Sequence, residues 1–380
     1  MKTRIYIFLG IAFAILFYSC EKTIDFKGDY VEPKIVVHGN LAQGYPVRAR
    51  VYKSRSLLSE EEFYNSLPNA IVKLYADDIY IETLEYAGRV DTFRKQLPYD
   101  VVKEYTFTNG AYSGKTIAEV GKTYRLEVTC DGFEPVTCKT ELPEPVEITK
   151  VDTVTEIMET GNGSVKYFWI YVHFHDPAGT QNYYMLQSDK TTGRVLNYFD
   201  QYSGEPFVPS DTILVNLGSY TGIQFADPVF NNNNQADDVI MGSPNNQYGI
   251  FKDSQIDGKD YKLGVAFYDR YYGGGYNPYP GGGYGNGNIL GDGFEYGNFS
   301  SLNIKLVSIT KEYYNYLNTA NYHFWFSDDP FSEPVPVASN IIGGMGIWAA
   351  TSASEVKVVQ GIYPMPGKTY INEYEYYNPY

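Results

Sequence analysis

The chain has 380 residues, 43% of them apolar and 17% aromatic, and carries a formal charge of −15 at pH 7. So acidic a surface repels nucleic acid and anionic headgroups, and no local Lys/Arg run offsets it, which sets nucleic-acid binding aside. The length exceeds what one hydrophobic core usually serves, so two domains are expected.

Residues 1–19 read as a leader. Lys2 and Arg4 precede an apolar run from Ile5 to Phe17, and Tyr18-Ser19-Cys20 closes it. This is the layout of a bacterial lipoprotein signal peptide cut before Cys20, whose thiol and new amino group would carry acyl chains. The run is too short to span a bilayer, which takes about 20 apolar residues. Lipid on Cys20, including palmitate, would then be the only membrane attachment, and loss of Lys2 and Arg4 would leave the mature chain still more acidic. Residues 20–34 are polar with Pro33, a tether of roughly 45 Å when extended.

From Ile35 the texture turns to β. Ile35–Gly39 and Val47–Tyr52 flank a Gly44-Tyr45-Pro46 turn, and Ser59-x-x-Glu62 could cap a short helix. Ala70–Tyr75, Ile79–Leu84, Lys122–Val128 and Val136–Leu142 read as further strands. Short strands at this spacing describe an immunoglobulin-like sandwich over residues 35–145, ended by Leu142-Pro143-Glu144-Pro145. Cys130 and Cys138 flank a turn in this part. They bridge if the strand register sets them opposite each other, and otherwise stay thiols; spacing alone does not fix register.

Residues 146–380 are expected to form a larger antiparallel β-sandwich or open barrel with one or two short helices. Val165–Phe174 separates into two faces, with Trp169, Tyr171, His173 and His175 on one of them. Asp176-Pro177-Ala178-Gly179 turns the chain, and strands recur at Tyr183–Leu186, Thr212–Leu217, Tyr261–Tyr268, Ile304–Ile309, Tyr322–Phe326 and Val356–Val359. A helix capped by Ser308 or Thr310 covers Lys311–Leu317. Residues 271–299 are too rich in glycine and proline for a strand interior and read as a long loop. That loop presents Tyr271, Tyr272, Tyr276, Tyr279, Tyr284, Tyr296 and Phe299. Tyrosine gives broad contact area at little rotamer cost, so these residues form the expected ligand or partner surface.

Several segments carry a family resemblance in their order: Pro33-Lys34-Ile35-Val36-Val37-His38-Gly39, Gly121–Leu126, Asp176–Gly179 with Asn182-Tyr183-Tyr184, Lys311–Leu317, Pro330–Pro336, Ser339-Asn340-Ile341 and Gly344–Trp348. Together they resemble a family of Bacteroidota outer-membrane lipoproteins defined only as a domain of unknown function. The resemblance implies a surface-exposed, outer-membrane accessory lipoprotein beside a TonB-dependent transporter. It supplies no catalytic residues.

Chemistry is thin in the residues themselves. His173-x-His175-Asp176 has metal-binding residue types, but period-two histidines on an amphipathic strand need no such role. Asp227, Asp237, Asp238, Asp253, Asp257 and Asp260 supply oxygen-rich loops without the spaced calcium motif. No nucleophile elbow, zinc-protease motif or phosphate loop occurs. The expectation is therefore a non-enzymatic binding protein without cofactor or metal, taking a glycan or peptide. The alternatives are a structural or adhesion-type surface protein and a glycan-acting hydrolase.

Overall fold

The computed structural model describes residues 32–55, 65–96, 102–160, 163–199, 206–219, 223–225, 227–231, 246–268, 294–327, 335–361 and 370–372. The expected leader with Cys20, the capped segment at Ser59, and Tyr271, Tyr272, Tyr276, Tyr279 and Tyr284 lie outside the described residues.

The molecule is mainly β, with strands β1 (Ile35–Ala42), β2 (Pro46–Lys53), β3 (Ile71–Ala76), β4 (Ile79–Thr83), β5 (Glu85–Gln96), β6 (Val102–Ile117), β7 (Thr123–Thr129) and β8 (Val136–Glu141) in its first part. There follow β9 (Ile148–Thr160), β10 (Gly163–His175), β11 (Tyr183–Phe199), β12 (Pro206–Ser219), β13 (Ile223–Gln224), β14 (Ile250–Lys252), β15 (Asp260–Tyr268) and β16 (Phe294–Ile309). Helix α1 (Lys311–Phe326), β17 (Met345–Gly361) and β18 (Tyr370–Asn372) complete the order.

A ten-stranded sheet forms the spine, in the order β18-β12-β11-β16-β17-β1-β2-β6-β5, with β14 pairing on β11. Two four-stranded sheets, β4-β3-β7-β8 and β13-β15-β10-β9, accompany it. Alternation decides which residues face inward: Tyr124, Leu126 and Val128 of β7 are buried while their neighbours are not. Each such side chain contributes about 1.5–3 kcal/mol by leaving water. The β3–β4 hairpin turns on Asp77 and Asp78, both at positive φ (48° and 64°), the conformation that a two-residue turn matched to strand twist requires.

The first core lies between β1, β2 and β6 of the spine and the β3, β7 and β8 sheet, but residues 35–145 do not complete it. Ile341, Trp348 and Ala350 belong to it. Trp348 and Ala350 arrive because β17 pairs in parallel with β1, placing Gly39 opposite Trp348, and Ile341 arrives beside the bridge of Ile342 to Thr137 of β8. Trp348 is fully buried, and its Nε1 donates to the Tyr124 carbonyl at 3.2 Å. Asn340 locks the strand start: its Nδ2 donates to the Trp348 carbonyl at 2.8 Å, and its Oδ1 accepts from the Trp348 N–H at 2.9 Å. The expected boundary near 145 therefore marks the passage to a second core, which includes Val146, without closing the first.

That second core packs β10 and β15 against β11 and β16 and is rich in aromatic rings: Phe174, Tyr184, Phe230 and Phe251. On the opposite face of β11 and β16, Met185, Val307 and Ile309 meet Tyr314 and Leu317 of α1.

Two expected elements need correction. Tyr322–Phe326 is the last turn of α1, not a strand. Its aromatic run has β propensity, but buried Tyr314, Leu317, Ala320 and Asn321 recur at helical spacing, and tertiary packing overrides the local preference. The cap is Thr310, whose Oγ1 accepts from the Tyr313 N–H at 3.3 Å. Tyr296 and Phe299 lie in β16 rather than in the loop, opposite Leu196 and Gly193 of β11.

Candidate functional site

Cys130 and Cys138 are free thiols. The β7–β8 register sets Cys138 opposite Leu126, four residues from Cys130. At about 3.3 Å per residue that offset is far beyond the reach of a disulfide. Burial pushes the Cys138 thiol up to about 12, the mark of a packed, inert sulfur.

His173 and His175 share a strand face, as expected, but each turns to its own carboxylate. His173 Nε2 lies 2.9 Å from Asp152, and His175 Nδ1 lies 2.8 Å from Asp260. Register explains the split, because Asp260 stands directly opposite His175, whereas Asp152 comes from β9 on the other side. The two imidazoles therefore serve separate cross-strand pairs. Of the remaining histidines, His38 is wedged between Tyr52 and Tyr316, whose hydroxyls lie 3.1 and 3.3 Å from its ring nitrogens.

The densest polar constellation is one the sequence marks only as turns. Asp176 directly follows β10 and is fully buried. Its Oδ1 accepts from the Tyr184 hydroxyl at 2.5 Å and its Oδ2 from the Gly258 N–H at 3.1 Å. Asp253 Oδ2 accepts from the Asn182 N–H at 2.6 Å, and Asp257 Oδ1 accepts from the Gly179 N–H at 2.9 Å. Gly179 and Gly258 both sit at positive φ (88° and 67°), which lets each turn aim its N–H at the other's carboxylate. Residues 176–182 and 253–258 are thus two turns stitched face to face.

The electrostatics follow from that crowding. Burial raises the Asp253 carboxyl, and the Asp176 and Asp257 charges push it the same way against the bond from Asn182. Burial and the bond to Asp176 hold the Tyr184 phenol far above its usual range. Ligand oxygens of Asp176, Asp253 and Asp257 lie within 4.8 Å of one another. Such a set suits a hard cation, but calcium takes about six to eight oxygens, and here the carboxylates already satisfy backbone N–H groups. Locking two turns accounts for the arrangement.

Asp227 does the same work nearby, accepting from the Tyr261 hydroxyl at 2.6 Å and from the Gly264 N–H at 3.0 Å. Asp237 and Asp238 lie outside the described residues. The Asp-Pro-x-Gly signature announces the first turn; no local signal announces that its aspartate is buried under a tyrosine.

No curated protein matches the chain. A family model described as a domain of unknown function (DUF4249) matches residues 21–357. Its segments Asp176–Tyr184 and Ser339–Trp348, which carry the resemblance in sequence, are the turn lock and the strand lock described above. With nearly the whole chain matched, this protein belongs to the DUF4249 family.

Proposed function

We propose that this chain is a non-enzymatic, lipid-anchored accessory protein of the outer membrane, surface-exposed, that helps a TonB-dependent transporter capture a nutrient such as a glycan or peptide. The observation that carries the reading is the leader: a basic start, the Ile5–Phe17 run and Ser19-Cys20, with the family match beginning at residue 21, directly after the expected acylation point. Among the described residues no helix is long and apolar enough to cross a membrane. Lipid on Cys20 would then provide attachment, raising the local concentration of the body near its partner.

A binding role is supported by what the polar groups do. His173, His175, Asp176, Asp227, Asp253 and Asp257 each hold a strand or turn in place. The Gly/Tyr stretch between β15, which ends at Tyr268, and β16, which begins at Phe294, is with Tyr296 and Phe299 of β16 the proposed contact surface.

Detergent-phase partition followed by pull-down and mass spectrometry tests the reading. The native chain is expected in the detergent phase with a transporter, and Cys20→Ala in the aqueous phase. Deleting residues 273–292, which stops short of β16, should abolish partner or ligand capture while leaving the melting transition in place. Recovery of the native chain from the aqueous phase without acylation would overturn the proposal.

A further inference from the structure

The sequence shows no run of basic residues, yet the fold assembles a basic cluster. Strands β2 and β6 pair at Arg48↔Ser113 and Ala49↔Tyr112 and then separate. Beyond that point Tyr52 of β2 bridges to Ser66, and Ser66 also holds β6, its Oγ accepting from the Gly110 N–H at 3.0 Å. At the divergence a cavity of about 240 Å³ is lined by Arg48 and Arg50 of β2, Arg89 of β5, Asn109 of β6, and the facing glycines Gly88 and Gly110. Val47, Ala49 and Val51 point into the first core, so Arg48 and Arg50 project from the other face of the spine. The glycine pair has its own cause: the Tyr86 ring occupies the positions their side chains would take.

Three guanidinium groups around one small cavity run against the chemistry of the whole chain, in which 45 acidic residues outnumber 30 Lys and Arg. Like charges repel, and an anion placed among them relieves that repulsion. Arginine presents a planar fork of donors that matches a carboxylate or phosphate edge, and Asn109 adds an amide. Acids also occur at this spacing along β5: Glu85 is two positions from Ala87 at the cavity wall, and Asp91 is two positions from Arg89. Arg50, Arg89 and Asn109 each make a further interaction besides lining the cavity. The Arg50 charge is also felt by His38, whose imidazole is lowered first by burial and then by that arginine. The recess is open to solvent, with Arg48, Ala87, Arg89 and Asn109 exposed at its wall, and its volume is below the roughly 300–1,000 Å³ of a drug-sized pocket, which suits a compact group.

We propose that this cavity binds a compact oxyanion, the carboxylate, phosphate or sulfate group of a small solute. The proposal is independent of the lipid anchor and of any transporter, and goes beyond the reading above by assigning a site and a ligand chemistry.

Calorimetric titration of the full chain in detergent with inorganic phosphate and with succinate tests it. At least one of the two should bind, with affinity falling as chloride is raised because the contacts are charge-assisted. Arg48→Gln with Arg89→Gln should weaken binding at least tenfold. Ala87→Glu, which places a carboxylate at the cavity wall without touching an arginine, should do the same with an unchanged melting temperature. If neither anion binds, or if Ala87→Glu and the double arginine variant leave affinity unchanged, the arginines serve only internal contacts and the proposal fails.

Discussion

The two cores that share the spine sheet are built from different materials. The first packs aliphatic side chains around Trp348, Tyr112 and Tyr124, and their polar atoms are met by backbone: the indole N–H and the Tyr112 hydroxyl donate to carbonyls, and the Tyr124 hydroxyl accepts from the Glu119 N–H. In the second, Phe174, Tyr184, Phe230 and Phe251 are buried together, and the tyrosine hydroxyls are met by carboxylates instead: fully buried Asp176 accepts from Tyr184, and half-buried Asp227 from Tyr261. A buried hydroxyl without a partner costs free energy, so packing tyrosine in this way draws carboxylates inward. Asp176 and Asp227 are thus the partners of the Tyr184 and Tyr261 hydroxyls, and with Tyr112 and Tyr124 in the first core part of the chain's unusual tyrosine content is core material.

Mutations can break that contrast. The largest effect should come from the first core: Trp348→Ala removes its biggest side chain and is expected to cost about 3–5 kcal/mol in denaturant unfolding. Gly39→Ala, which drives a methyl into the Trp348 ring, should cost about 1–3 kcal/mol through overpacking. In the second core Asp176→Ala should cost about 1–3 kcal/mol by orphaning the Tyr184 hydroxyl and the Gly258 N–H. If tyrosine is what holds the acid there, adding Tyr184→Phe should cost less in the Asp176→Ala background than alone. Strict additivity would refute the coupling.

Acid titration sharpens the comparison with opposite signs. Burial would raise the Glu82 carboxyl, but bonds from the Thr116 side chain and the Lys115 and Thr116 N–H groups hold it below its usual value. Its stabilisation is present above the ordinary carboxylate range and lost as pH falls through and below it. Asp253 is raised, so its contribution is present below that range and lost as pH rises through its folded value. Stability curves against pH should therefore show Glu82→Gln converging on the native chain in acid, and Asp253→Asn gaining on it towards neutral pH. Smallest of all is Tyr86→Phe: its buried hydroxyl has no hydrogen-bond partner among the described residues, so stability should shift by no more than about 0.5 kcal/mol in either direction.

What the sequence discloses follows locality. Strands with clean alternation, such as β7 and β10, and the Thr310 cap are readable because their signals lie within a few residues. The β5–β6 hairpin is not, since Tyr86-Ala87-Gly88-Arg89 lacks alternation, and Gly88 and its cross-strand partner Gly110 both answer to the one Tyr86 ring. Cys130 and Cys138 look like partners until register separates them. The three cavity arginines and the Asp176–Asp253 lock come from separate segments and meet only through strand pairing. Residue type at such places is visible in the sequence; convergence is not.

The parallel seam between the two ends of the chain has a cost in time. Asn40 Nδ2 donates to Thr351 Oγ1 at 3.1 Å across 311 positions of sequence, and Trp348 reaches its place only through that pairing. A nascent chain that has made β1 through β8 still exposes a bare apolar edge, and must hold it unpaired until almost everything else has been synthesised. Closing so long a loop makes assembly slow and reliant on protection from mispairing. A stop codon late in the message, anywhere before Met345, would therefore ruin the beginning of this protein as well as its end.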